Sequence, residues 1–119
     1  RCGPGREERL VSCPFCAIIG GETPAQIVQR WPDAIAIVPL NPVRPGRHLL
    51  VIPVEHVDDA LEQPVVTAVA MQRAAELAQA PCNIITSVGS EATQTVRHLH
   101  VHIVRRSEAD GLMLPWSAP

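Results

Sequence analysis

The sequence contains no lysine and no tyrosine, and these two absences narrow the chemistry available to it. Without lysine there is no amine nucleophile and no Schiff base, and without tyrosine there is no phenol to act as an acid or a nucleophile. There is also no run of about 18 apolar residues, which a membrane-spanning helix would require. Acidic residues outnumber basic ones by 12 to 10, and the net charge of −2 argues against general binding of nucleic-acid polymers.

The 119 residues suffice for one domain, and a hydrophobic fraction of 46% can supply its core. We expect residues 1–12 to form a loose polar tail and residues 13–119 to form the single domain. The start of the chain carries charges and lacks the apolar segment of a signal peptide. We therefore expect a cytoplasmic protein whose cysteines are reduced.

Three of the five histidines, His98, His100 and His102, occupy alternate positions. A β-strand over residues 96–104 would place these imidazoles on one face, because alternate residues of a strand point the same way. Imidazole is a nucleophile, an acid–base group and a metal ligand near neutral pH. The pattern therefore indicates a catalytic site, a metal centre that uses these histidines as ligands, or a polar sheet face without chemistry.

Cys13 and Cys16 form a CxxC pair, which by itself is a weak signal for zinc because tetrahedral sites usually take four protein ligands. His56 and His98 are two further ligands that the chain offers. The pair is compatible with a zinc site, with a redox-active dithiol, or with two reduced cysteines packed near the start of the domain. The redox interpretation lacks the βαβ pattern of thioredoxin-like proteins.

The order of apolar and turn-forming segments predicts an α+β domain: a mainly antiparallel sheet of about five strands with one long helix and a short helix. We expect the long helix over residues 64–80, with Val65 and Val69 on its buried stripe, and a short helix over 13–20. A further short helix is expected over residues 57–61. The predicted strands cover residues 27–31, 34–38, 48–52, 83–88 and 96–104.

Several motifs together resemble the histidine triad (HIT) superfamily of nucleotide hydrolases and transferases. Residues 94–103, QTVRHLHVHI, resemble its signature, and residues 13–25, CPFCAIIGGETPA, resemble its N-terminal motif. The matching central features are Asn41-Pro42, Pro45-Gly46, the LVIP of residues 50–53 and His56-Val57. The resemblance covers about residues 13–106 and implies a HIT-like fold.

The resemblance implies a nucleotide hydrolase or nucleotidyltransferase that cleaves at the α-phosphate of a nucleoside phosphoanhydride or phosphoramidate. His100 would be the nucleophile that forms a covalent nucleotidyl-histidine, and His102 would position the phosphate and the leaving group. The phosphate-binding residues would be Asn41, Ser87, Gln94 and Thr95. The alternative is a nucleotide-binding or scaffold protein of HIT fold with negligible turnover.

The resemblance also implies a structural zinc held by Cys13, Cys16, His56 and His98, as in some relatives. A closed site of four protein ligands leaves no open position for a substrate, so the chemical step itself would need no metal. Relatives usually form homodimers through the long helix and a shared sheet. The apolar C-terminal tail around Trp116 is similar to tails that approach the partner's site.

Three positions depart from the pattern of the superfamily. Pro39 stands where many relatives have an acidic residue that grips the ribose, and Ser87 stands where an asparagine is common. Thr93 replaces the glycine that usually precedes Gln94. These departures concern the recognition of sugar and phosphate and leave the histidine motif intact. His48 is expected to pack within its strand.

Overall fold

The computed structural model describes residues 13–117, so the tail predicted over residues 1–12 lies outside the described residues. The strands are β1 (Ile27–Arg30), β2 (Ala34–Ile37), β3 (His48–Pro53), β4 (Cys82–Ile85) and β5 (Val101–Arg105). The helices are α1 (Pro14–Ile19) and α2 (Pro64–Leu77), and a 3₁₀ turn covers Ser90–Ala92. The strands form one antiparallel sheet in the order β1-β2-β3-β5-β4. The predicted α+β class, with about five strands, one long helix and one short helix, is confirmed.

The two faces of the sheet separate the apolar residues of the histidine motif from its imidazoles, as predicted. Leu99, Val101 and Ile103 are buried in the core that α2 covers. The rings of His98 and His100 lie on the opposite face, where each contacts the edge of Phe15 of α1. No helix within residues 13–117 has the length and apolar character needed to cross a membrane.

The regular part of the histidine strand is shorter than residues 96–104, because β5 begins only at Val101. Val51 pairs with Val101 in the register of β3 and β5, so Pro53 would come opposite Leu99. Proline has no N–H and cannot continue the ladder. The Leu99 N–H instead donates to the Val57 carbonyl at 2.9 Å. His98 and His100 therefore precede the regular strand, and only His102 lies within it.

The predicted helix over residues 57–61 is wrong. Side-chain carboxylates accept the backbone N–H groups of this segment and hold it as a turn. The Asp59 carboxylate accepts the Leu61 and Glu62 N–H groups at 2.9 and 3.2 Å. The Glu62 carboxylate in turn accepts the Asp58 N–H at 2.6 Å. Such local bonds satisfy backbone donors without helix formation.

The face of α2 that packs on the sheet is made of small residues. Four alanines without exposed surface meet there: Ala34, Ala36, Ala70 and Ala74. Val65, which was predicted for the buried stripe, is 71% exposed, and the neighbouring Val66 is buried instead. The predicted stripe was wrong because a hydrophobicity pattern favours valine over the alanines that make the contact. The helix also ends at Leu77, since Ala78 is already extended with ψ of 143°.

Thr93 follows the 3₁₀ turn with φ of 72°, in the left-handed region. This region is unfavourable for a β-branched side chain, whereas glycine enters it freely. The backbone of this turn thus has the conformation that the glycine usual in HIT proteins would adopt without strain.

We expect Thr93→Gly to raise the free energy of unfolding by about 1 kcal/mol, because it removes the left-handed penalty. The matched control is Ala92→Gly in the same turn, where φ is not positive. That control should lower the free energy of unfolding by about 0.5–1 kcal/mol through the entropy of glycine. Urea denaturation measures both changes, and a loss of stability in Thr93→Gly would contradict the strain.

Candidate catalytic and metal centres

His100 has the protonation that a nucleophile requires. Its Nδ1 lies 2.8 Å from the His98 carbonyl oxygen, which can only accept, so Nδ1 carries the proton. The neutral ring then keeps a lone pair on Nε2. Burial lowers the pKa of His100 below its usual value, although the bond to the carbonyl opposes this shift. The ring is therefore uncharged at pH 7.

His102 receives its protonation from a second pair of contacts. The Val43 N–H donates to His48 Nδ1 at 3.0 Å, so the neutral His48 carries its proton on Nε2. That Nε2 lies 3.0 Å from His102 Nδ1 and donates to it. The remaining proton of a neutral His102 must then be on Nε2. Burial, followed by the charges of His100 and His48, lowers the pKa of His102 to about 4, and this keeps the ring neutral at pH 7.

The register of β3 and β5 explains why His48 and His102 meet. His48 pairs with Val104, and Leu50 pairs with His102, so the two histidines are diagonal neighbours on one face. Their rings stack with centroids 5.2 Å apart. His48 is thus a functional candidate that was expected only to pack. The alternation of residues in the sequence predicts which face of the sheet His48 occupies. Its neighbour on that face depends on the register between β3 and β5, which the alternation does not give.

A cavity of about 340 Å³ opens beside His102. Its polar lining includes His48, Ser87 and Thr93, so the structure brings the predicted phosphate ligand Ser87 to the same space as His102. Its apolar lining is formed by Val43, Ile85, Val104, Leu112, Met113 and Leu114. The C-terminal segment therefore lines the cavity of its own chain.

Asp110 holds that C-terminal segment in place. Its carboxylate accepts from Arg106 Nε at 2.7 Å and from the Ser107 and Leu112 N–H groups at 3.0 Å. The Arg106 guanidinium holds the pKa of Asp110 far below its usual range. The Asp110–Arg106 pair is also attached to the sheet, because Arg106 donates a hydrogen bond to the side chain of Asn83 on β4.

The other predicted phosphate ligands lie elsewhere. Gln94 is buried, and protein groups bond its side-chain amide. Thr95 lines a separate cavity of about 520 Å³ together with Cys13 and His56. Asn41 is exposed in the loop between β2 and β3. The structure thus places Thr95 beside a second centre, and it places Gln94 between that centre and the turn of residues 89–93.

That second centre is formed by Cys13, Cys16, His56 and His98, whose ligand atoms all lie within 4.8 Å of one another. His98 Nδ1 is 3.4 Å from Cys13 Sγ and 3.6 Å from Cys16 Sγ, and His56 Nδ1 is 3.3 Å from Cys16 Sγ. Zinc bond lengths in a tetrahedral site place sulfur and nitrogen ligands about 3.5 Å apart. The spacing therefore fits a tetrahedral zinc.

Both histidines of this group direct a lone pair at the sulfur atoms. His98 Nε2 donates to the Pro53 carbonyl at 2.8 Å, and His56 Nε2 donates to Asp58 Oδ1 at 3.2 Å. With Nε2 as the donor, Nδ1 of each ring is the atom that can bind metal, the arrangement in which an outer oxygen orients a metal-binding histidine. The donor set and its outer contacts fit the zinc that the sequence predicts.

Cys16 is disulfide-bonded in this structure, so the expectation that the cysteines are reduced is wrong for Cys16. Zinc binds thiolates, so loading of the site requires Cys16 in its reduced form. Within residues 13–117, the cysteine–histidine cluster is the one group of three or more potential ligands that lies close enough for a metal. The alternative metal centre of His98, His100 and His102 is therefore not formed by the described residues.

Comparison with known proteins agrees with this architecture. A family model of the HIT domain matches residues 20–109. An uncharacterised HIT-like protein of Methanocaldococcus jannaschii is 35% identical over 109 residues, which cover 83% of this chain and 82% of the relative. An adenylylsulfatase of Arabidopsis thaliana is 31% identical over 109 residues, which cover 84% of this chain and 55% of the relative.

The crystal structure of a zinc-bound histidine triad family protein from Mycobacterium smegmatis superposes with a TM-score of 0.80 at 32% identity, covering 87% of this chain and 81% of that chain. The matched family model spans most of the chain, and the fold, the histidine motif and the relatives agree with it. The chain belongs to the HIT family.

The partly buried His102 predicts a pH dependence of stability. Its pKa is about 4 in the folded protein and 6.5 as the ordinary value, so between these values the unfolded chain binds more protons. The free energy of unfolding therefore falls as the pH decreases from 7 toward 4. We expect His102→Gln to reduce this fall between pH 7 and 5.5, as measured by urea denaturation at equal metal content.

The comparison stops at pH 5.5 because the carboxylates titrate mainly at lower pH. Ser87→Ala, which changes the same cavity without removing a titratable group, is the control and should keep the wild-type dependence. If His102→Gln also keeps the wild-type pH dependence, the folded protein does not hold the ring of His102 in its neutral form.

Proposed function

We propose that this protein is a nucleotide hydrolase or nucleotidyltransferase in which His100 attacks the α-phosphorus of its substrate. The observation that supports this most directly is the bond from His100 Nδ1–H to the His98 carbonyl, which leaves Nε2 with a lone pair. Membership of the HIT family and the similarity to an adenylylsulfatase are consistent with it.

In the first step, Nε2 of His100 bonds to phosphorus while the bond to the leaving group breaks. Positive charge develops on the ring, and the hydrogen bond from Nδ1 to the His98 carbonyl becomes stronger. His102 Nε2–H donates to an oxygen on which negative charge accumulates. A phosphate or sulfate leaving group departs as an anion, whereas an amine takes up a proton from water as it departs.

In the second step, water or another acceptor attacks the phosphorus of the nucleotidyl-His100. The histidine leaves with its electron pair, an attacking water gives its proton to solvent, and the nucleoside monophosphate or its transferred product is released. His48 keeps His102 in the same tautomer throughout, because the Val43 N–H on its other nitrogen cannot become an acceptor. Covalent catalysis of this kind divides one displacement into two easier ones.

The zinc site proposed here is structural. Cys13, Cys16, His56 and His98 would hold the metal, which would then cross-link the start of α1 to the segment ahead of β5. A closed tetrahedral site supplies folding free energy and no open coordination position. We propose that the protein acts in the cytoplasm, where Cys16 would be reduced and able to bind the metal.

We also propose that the protein is a homodimer. β4 is an edge strand of the described sheet, and an edge strand offers unpaired backbone groups to a second chain. Ile85 on this strand is 36% exposed. Pairing of β4 with its copy, with α2 alongside, would extend the sheet across both chains, and sedimentation equilibrium measures the resulting mass.

The central test is His100→Ala. We expect turnover to fall by at least about 10³-fold, because the nucleophile is lost. The assay uses a panel of dinucleoside polyphosphates, nucleoside phosphoramidates and adenylyl sulfate. Rapid quenching of the wild type should trap a nucleotide on His100, identified by peptide mass spectrometry.

Ser87→Ala is a control for this test, since Ser87 lines the cavity beside His102 and supplies no nucleophile, so this variant should still form the covalent adduct. Circular dichroism verifies the fold of each variant. A wild type that binds nucleotide but never yields an adduct would identify a binding protein without turnover. Wild-type-like turnover of His100→Ala would exclude His100 as the nucleophile.

The zinc site is tested by metal analysis of protein purified under reducing conditions. We expect one zinc per chain, and we expect Cys13→Ser to lose it because a hydroxyl is a poor zinc ligand. Cys82→Ser is the control, since Cys82 is a free cysteine on β4 outside the cluster. Reduced wild-type protein without metal would refute the site, as would equal loss of zinc in both variants.

A further inference from the structure

Asp58 is placed between the candidate metal site and the turn beside the catalytic cavity. It lies two residues after His56 and makes contacts in two directions. Its carboxylate Oδ1 is 3.2 Å from His56 Nε2, and its backbone carbonyl accepts from Gln94 Nε2 at 2.7 Å. One residue therefore touches both a candidate metal ligand and the buried amide of Gln94.

Every hydrogen-bonding position of the Gln94 amide is used within the protein. Nε2 donates to the Asp58 carbonyl and, at 3.0 Å, to the Val96 carbonyl. Oε1 accepts the Gly89 N–H at 3.0 Å and an N–H of Arg97 at 3.2 Å. Because Gly89 N–H can only donate and Asp58 C=O can only accept, the orientation of this amide is determined.

The bond to Gly89 continues the chain of contacts into residues 89–93. The Gly89 carbonyl accepts the backbone N–H groups of Ala92 and Gln94 at 3.1 and 3.0 Å, which closes the turn. Thr93 at the end of this turn lines the cavity with His102. Hydrogen bonds joined by short stretches of main chain thus lead from His56 through Asp58 and Gln94 to the turn that contributes Thr93 to the cavity wall.

We propose that Asp58 and Gln94 couple the metal centre to the turn of residues 89–93, so that metal bound at His56 stabilises the wall of the catalytic cavity. Gln94 is then a positioning residue for this turn, a role distinct from contact with phosphate. The inference rests on the proposed zinc site and on the proposed catalytic cavity. It adds an energetic connection between them, which must act in both directions.

The test compares amide hydrogen exchange in zinc-loaded and zinc-free wild-type protein under reducing conditions. We expect removal of zinc to accelerate exchange at the Gly89 N–H by about 5-fold or more, the lower end of usual couplings between sites. The reference is the Arg105 N–H, which donates to Arg47 at the far end of β5. It should change much less.

Two neighbouring carboxylates provide a matched pair of variants. Asp58→Ala removes the contact with His56 and should weaken zinc binding by about 10–100-fold, measured by chelator competition. It should also reduce the effect of zinc on the Gly89 N–H. Asp59→Ala removes only the caps on Leu61 and Glu62, and we expect it to keep both zinc affinity and the response at Gly89.

Each possible result either supports the coupling between the two centres or contradicts it. If reduced wild-type protein binds no zinc, the metal site and the inference fail together. If zinc binds and the Gly89 N–H does not respond, or responds no more than the Arg105 N–H, the inference alone fails. Equal behaviour of Asp58→Ala and Asp59→Ala also overturns it. None of these results alters the role of His100, which the trapping experiment tests separately.

Discussion

The placement of His98 is the constraint on which both centres depend. Its Nδ1 lies 3.4 Å from Cys13 Sγ, and its Nε2 is held by the Pro53 carbonyl at 2.8 Å. Its own carbonyl accepts from His100 Nδ1. The side chain of His98 therefore belongs to the metal centre, and its main chain sets the protonation of the nucleophile. The two centres share a residue while using different atoms of it.

Backbone groups assign the protons of the histidines throughout this site. A carbonyl oxygen can only accept and an amide N–H can only donate, so the partners of His98, His100 and His48 leave one neutral tautomer for each. Burial lowers the pKa of all three, which keeps the neutral forms populated at pH 7. The chemistry at this sheet face thus starts from uncharged imidazoles.

Much of this architecture is predictable from the sequence, because it follows from local patterns. The alternation of residues 98–103 correctly separates the histidines from the core, and the spacing of turns correctly yields the five strands and the helices α1 and α2, although it also gives a helix over residues 57–61 that does not form. The shortened β5 was not predicted, because it depends on Pro53 lying opposite Leu99 in a neighbouring strand. The alternation of residues along one strand shows which side chains share a face. It does not show how that strand is paired with its neighbour.

Side-chain partners were the least predictable part of the candidate site. The sequence around His48 predicts a strand whether or not His48 contacts His102. Only the register between β3 and β5 brings the two rings together. Gln94 belongs to a motif that indicates phosphate, yet the folded chain surrounds its amide with backbone groups. Such contacts are made between segments distant in sequence, which no local pattern records.

The alanine contact between α2 and β2 limits how this chain can diverge. Its residues have no exposed surface, and an added methylene in a close-packed core forces neighbours apart at a cost of about 1–3 kcal/mol. The cavity wall includes exposed loop and C-terminal side chains, such as Val43 and Met113, which can change size without disturbing the core. Substitutions are therefore tolerated in the cavity wall, which would contact substrates. They destabilise the protein on the opposite face of the sheet, which supports the catalytic strand. New specificities can arise here without rebuilding the scaffold.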